Sequence, residues 1–132
     1  MKKKISYKRI KNGNYDYELT KKYTCKVPGI PKDLKAEIPG FIRLENGNIK
    51  LYPTYQTDGA TGIDGIYPEA WIIRGSFSHD GGYQLIREKK IPKKYRKNFD
   101  DLLFTNFVED KMPLGLAQVS VFVVRLVGWV FI

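Results

Sequence analysis

Cysteine is nearly absent from this chain. Cys25 stands alone, so no intramolecular disulfide can form, and a reducing environment fits better than the life of a small stapled secreted protein. Histidine is equally scarce: His79 is the only one. That excludes a zinc site built from several imidazoles and thiolates, and the many-histidine metal centre of HD-type phosphohydrolases. Acidic residues are outnumbered 14 to 23 by lysine and arginine, leaving a net charge of +9. A long uninterrupted apolar run is missing too. The best candidate, 114–132, is near the shortest length for a membrane span, but Gln118 and Arg125 interrupt it. A buried or partly exposed closing helix is expected there. The lysines at the start have no apolar stretch behind them and do not read as a secretion signal.

The positive charge is clustered. Lys2, Lys3, Lys4, Lys8, Arg9 and Lys11 crowd the start, and the segment 87–97 carries seven basic residues against one acid. Within it Lys89, Lys90, Lys93, Lys94 and Arg96 form a candidate surface for an anionic membrane or a protein partner, with Trp129 and Phe131 as apolar anchors. A plain solvated basic surface is the competing reading. Neither zinc-finger spacing nor an aromatic RNA-binding motif occurs, so only non-specific nucleic-acid contact is expected.

The pattern changes character near residue 70. Before it, glycine and proline punctuate short alternating runs: 15–27 reads as one or two strands, 28–40 as a proline-bounded connection, and 41–55 as a hairpin turning at Asn46-Gly47. The stretch 57–69 is a loop rich in glycine and aspartate. After it the period is helical. From about Ala70 to Glu88, Trp71, Ile72, Ile73, Phe77, Leu85 and Ile86 make one broad stripe. Pro92 suits the first turn of a second helix, whose apolar face runs from Tyr95 through Phe99, Leu102, Leu103, Phe104 and Phe107 to Val108, with a break at Pro113. One α+β domain over 1–132 is expected: a small antiparallel β-rich part (1–56), the loop, and a three-helix part (70–132).

Chemistry concentrates at His79-Asp80. On a helix His79 and Tyr83 share a face, while Asp80 points about 100° away. One site can therefore use the imidazole as a general base and the carboxylate as a metal ligand. Upstream, Asp58, Gly59, Gly62 and Asp64 belong to the kind of loop in which glycines let backbone carbonyls converge on a cation. Oxygen-only ligation favours Ca²⁺, with Mg²⁺ the lesser choice. Asp100, on the second helix, is placed to reach the imidazole across an antiparallel contact and fix its tautomer. Each residue also has a plain role: a core histidine, an aspartate pairing with Arg87, a core tyrosine, a simple turn. Cys25 with His79 is conceivable as a thiol–imidazole pair, but a small residue in a strand-like run more often packs. Ser76 and Ser78 lack a nucleophile elbow, and TDGATG lacks the lysine of a phosphate-binding loop.

The segments TDGATGIDG, RGSFSHDGGYQLIR, KKYRKNFDDLL, VEDKM and VRLVGW, in that order over about 57–130, resemble an uncharacterised family of small phage and prophage proteins, the domain-of-unknown-function family numbered 1353. Asp58, Asp64, His79, Asp80, Tyr83 and Asp100 stand at its matching positions. The resemblance implies a phage gene product, in the host cytoplasm or the virion, with other phage proteins as partners. More distantly, a glycine-rich loop, an HDxxY helix and an antiparallel helix bearing an aspartate are similar to the core of phospholipase A2 enzymes. That similarity implies Ca²⁺ held by Asp80 and by loop carbonyls near Gly59 to Gly62. It also implies His79 activating water, Asp100 orienting His79, and Tyr83 hydrogen-bonding Asp100. Secreted phospholipases carry a cysteine where Gly82 stands, and Asp58 and Asp64 have no simple counterpart there. The expectations are thus a phage virion, assembly or host-interacting component bearing a metal-type site, or a Ca²⁺-dependent hydrolase at anionic membranes. A lysis-associated or anti-defence hydrolase is a third.

Overall fold

A computed structural model describes residues 4–10, 17–59 and 67–130. Gly62, Asp64 and Phe131 therefore lie outside the described residues, as does the side chain of Trp129. The architecture is α+β. Antiparallel strands in two sheets precede three helices, α1 (Glu69–Arg87), α2 (Arg96–Glu109) and α3 (Leu114–Val130).

The strands are β1 (Tyr7–Arg9), β2 (Tyr17–Leu19), β3 (Tyr23–Lys26), β4 (Ala36–Ile38), β5 (Ile42–Glu45), β6 (Asn48–Leu51) and β7 (Gln56–Thr57). They form one sheet in the order β1-β2-β7 and another in the order β3-β6-β5-β4. The expected hairpin is β5–β6, and Asn46 and Gly47 both take positive φ, 53° and 76°, as its two-residue turn demands. Three expectations need correction. The 28–40 connection contains β4, which pairs with β5 from Ala36 opposite Leu44 to Ile38 opposite Ile42. Thr57 belongs to β7 rather than to the loop, paired with Tyr17. Pro92 precedes a short 3₁₀ turn, Lys93–Tyr95, and α2 begins only after it. Strands of three residues or fewer carry too little alternation to announce themselves.

The central helix is α1. A single apolar stripe was expected of it, yet both of its sides are buried. Ile73, Phe77, Leu85 and Ile86 join Leu19, Ile42, Leu44, Ile49 and Leu51 of the sheets and Phe99 and Leu102 of α2 in one core. Ile72 turns the other way, into a second cluster with Leu103, Phe107, Met112, Ala117, Val121 and Val124. A helix covered on two sides has room for neighbours only where its own side chains are small. At Gly81 a Cβ would lie 2.8 Å from Leu51, and at Gly82 it would lie 2.2 Å from the Phe99 ring. The helix-propensity cost of this glycine pair, on the order of 1–2 kcal/mol, is offset by that close approach of β6 and α2.

Contacts between α1 and α2 run in opposite directions along the two helices. Buried Arg74 near the start of α1 meets Asp110 just past the end of α2 (Nε to Oδ2 3.1 Å), and also donates to Glu109 at 2.7 Å and to the Tyr23 hydroxyl at 3.1 Å. One turn on, Asn106 donates to Ser78. The α1–α2 pair is antiparallel. Lys89, Lys90, Lys93 and Lys94, at its connecting end, are exposed, and Arg96 is half-buried.

Gly82→Ala is expected to destabilise the protein by about 1–3 kcal/mol, because the methyl overpacks the Phe99 contact. The companion Phe99→Leu should recover part of that loss. Chemical denaturation of the two variants and their double mutant measures the coupling.

Candidate functional site

His79 and Asp100 are brought together by the antiparallel α1–α2 packing. The imidazole Nε2 lies 2.8 Å from Asp100 Oδ1, and both side chains are buried, Asp100 completely. Tyr83, one turn along α1 from His79, donates its hydroxyl to the same Oδ1 at 2.7 Å. The His79 and Tyr83 rings stack at a tilt, with centroids 4.0 Å apart. The second oxygen of Asp100 is taken by a residue that the sequence did not single out as functional: Arg125 of α3 donates Nε–H to Oδ2 at 3.1 Å. In the sequence it stands only as an interruption in an apolar segment. The available signal was the rule that a lone charge in a buried helix needs a partner.

A buried carboxylate needs such company. Burial alone would raise the Asp100 carboxyl, but the hydrogen bonds from His79 and Tyr83, with the charge of His79 when protonated and of Arg125, outweigh it and hold the group below the usual carboxylate range. Asp100 is therefore ionised and can only accept. The proton in the short contact sits on His79 Nε2, which leaves the lone pair of the neutral ring on Nδ1. Among the described residues no hydrogen bond occupies Nδ1. That is the tautomer a general base requires.

Asp80 projects from α1 toward the other wall. Thr57 of β7 donates its hydroxyl to Asp80 Oδ2, and the Gly59 N–H donates to the Thr57 oxygen at 3.2 Å. One strand alternation back, Tyr55 donates to Gln84 at 2.9 Å. Thr57 and Tyr55, which immediately precedes β7, thus match one turn of α1, which fixes where the glycine-rich segment departs. Gly59 there takes a φ of 90°, open to glycine and strained for other residues. The Asp80 side chain is half-buried by area, yet enough protein surrounds its carboxyl to push it up to about 6. Repulsion from Asp58 adds to the rise, against the lowering effects of the Thr57 hydrogen bond and of His79 and Arg87. Two carboxylates that repel each other are hard oxygen donors of the kind that suits a cation such as Ca²⁺. Among the described residues no group of three or more His, Cys, Asp and Glu side chains could hold a metal ion. Among the described residues the carboxylates available to a cation here are Asp80 and Asp58.

Cys25 is a free, buried thiol in β3, and its Sγ contacts the Lys26 carbonyl at 3.5 Å. The imidazole is committed to Asp100 instead. Ser76 and Ser78 each donate to the carbonyl four residues back, Ile72 at 2.6 Å and Arg74 at 3.0 Å, so their hydroxyls serve the helix. Comparison of the chain with protein-family models, with curated proteins and with solved structures finds no match.

Asp100→Asn is expected to cost about 2–4 kcal/mol at neutral pH, since it removes the charge that Arg125 faces and mispairs buried donors. The pH dependence has a definite sign. With its pKa depressed in the folded state, Asp100 contributes stability that is complete above the unfolded carboxylate value of about 4, and that is lost as pH falls through the lower folded value. Denaturation curves between pH 7 and pH 2 should converge for wild type and Asp100→Asn at the acid end.

Proposed function

We propose that this chain is a Ca²⁺-dependent ester hydrolase of phospholipase A2 type, acting on lipid at an anionic membrane surface, and that it is a phage gene product. The observation that carries the reading is the His79–Asp100 pair, with Tyr83 on the same carboxylate oxygen and Asp80, next in sequence, bonded to Thr57.

The chemistry follows from the tautomer. His79 Nδ1 accepts a proton from a water as that water's oxygen attacks the ester carbonyl carbon. Asp100 stabilises the imidazolium that forms, through the Nε2–H bond, and keeps the ring from turning. When the tetrahedral adduct collapses, the imidazolium returns its proton to the leaving alkoxide, so the ring ends neutral. Tyr83 and Arg125 hold the carboxylate oxygens at fixed positions throughout. Asp80, with Asp58 and the backbone around Gly59, would hold the Ca²⁺, whose chemistry is to polarise the ester carbonyl and offset charge on its oxygen. The net charge of +9 and the exposed lysines at 89–94 favour anionic headgroups, each contributing roughly 1 kcal/mol near the surface.

One observation favours a second reading, a virion or assembly component that docks on a partner protein. Leu114, Val119, Phe122 and Leu126 of α3 are each more than half exposed, an apolar face left open among the described residues. No helix among the described residues is long and apolar enough to cross a membrane.

Wild type with millimolar CaCl₂ should release fatty acid from mixed phosphatidylglycerol and phosphatidylcholine vesicles. His79→Gln should lower the rate on the order of 10²–10⁴-fold. Equal inactivity of the two proteins removes the hydrolase, and recovery of the chain as a stoichiometric part of purified particles would then favour the structural role. Thermal unfolding gives an independent check on the cation. Millimolar Ca²⁺ should raise the midpoint of wild type and leave Asp80→Asn unmoved, and excess chelator should reverse the rise.

A further inference from the structure

The third helix touches both residues that hold the imidazole. Arg125 donates to Asp100 Oδ2 at 3.1 Å, and it is the only charged side chain in α3. One turn later, Gly128 lies so close to Tyr83 that a Cβ there would stand 2.5 Å from the ring. Two α3 positions three residues apart share a helix face, and that face is fitted to the His79–Tyr83–Asp100 group. We propose that Arg125 is a positioning residue for His79: its guanidinium fixes the Asp100 carboxylate so that Oδ1 meets the imidazole, and Gly128 seats Tyr83 beside it.

Three points support the assignment. Asp100 sits on α2 with a side chain that can turn about its terminal bond, and two of its three donors, His79 and Tyr83, share one oxygen. Only Arg125 engages the other oxygen in the contacts described, so it decides which way the carboxylate plane faces. A salt bridge made only for stability would be a weak use of this place, because burying a charged pair costs about as much as it returns. Arg125 also keeps a third of its side chain exposed while Asp100 is fully enclosed. The guanidinium therefore reaches a buried oxygen without leaving solvent altogether. An aliphatic residue at 125 would match the rest of α3 and satisfy the packing, but it would leave Oδ2 without this donor.

The catalytic consequence rests on the hydrolase reading; the positional one does not, and the test separates them. Because His79 is the only histidine, a ¹⁵N-edited NMR spectrum contains one imidazole. Its carboxylate-bonded Nε2–H should appear as a single downfield, slowly exchanging proton. Arg125→Gln and Arg125→Ala should broaden or abolish that signal while the backbone spectrum stays that of a folded protein, and Arg125→Lys should retain part of it. Gly128→Val should disturb it through Tyr83. Val119→Ser, on the exposed face of α3, should leave it unchanged. In the vesicle assay Arg125→Gln should lower kcat on the order of 10- to 100-fold, with KM within about twofold, and Arg125→Lys should recover part of the loss. An unaltered imidazole signal in folded Arg125→Gln would overturn the proposal. If wild type turns over no lipid but Arg125→Gln still loses the signal, the hydrolase falls and the positioning role stands.

Discussion

Asp100 is the carboxylate on which the helical half of this protein is organised. It is fully enclosed, and an enclosed charge is costly unless its lone pairs are engaged. Its donors come from two different helices: His79 and Tyr83 of α1 on one oxygen, Arg125 of α3 on the other. The pairing therefore fixes the roll of α1 against α2 and the seat of α3 in a single requirement. It also sets the imidazole tautomer. Structure and chemistry depend here on the same hydrogen bonds, so a change that loosens the packing also disorganises the site.

The rest of the fold supplies the enclosure. Burial of α1 on both sides is what removes water from Asp100 and His79, and the glycines at 81 and 82 make that burial close enough. Arg74, with Asp110, Glu109 and Tyr23, repeats the arrangement at the other end of the α1–α2 pair and keeps the helices aligned end to end. The strands act at a distance of one side chain. Thr57 on Asp80 and Tyr55 on Gln84 register β7 along α1, and so determine where the glycine-rich loop begins relative to the imidazole.

Local patterns were readable because they depend on neighbours in the chain. The hairpin at Asn46-Gly47 follows from the positive φ that its turn needs, and the three helices follow from 3.6-residue periodicity, α1 within one residue of its ends but α2 starting four residues after Pro92. The separate faces of His79 and Asp80 follow from helix geometry alone. Short strands were not readable in this way. Ala36–Ile38 and Gln56–Thr57 become strands because β5 and β2 offer them backbone partners, which three or two residues of sequence cannot reveal. Gly82 is costly in a helix interior by its residue type alone, but only the fold sets the Phe99 ring against it.

By itself the sequence determined the inventory: one imidazole, one thiol, an excess of positive charge, and carboxylates spaced to face a histidine if two helices packed antiparallel. Residue types and their periods are properties of the chain, so they survive without coordinates. Tertiary structure alone decided which carboxylate oxygen the imidazole meets, and that Arg125 takes the other. It also decided that Thr57 tethers Asp80. Those choices depend on how helices more than twenty residues apart roll and seat against one another. Side chains of the whole core set that roll, and no local pattern records it.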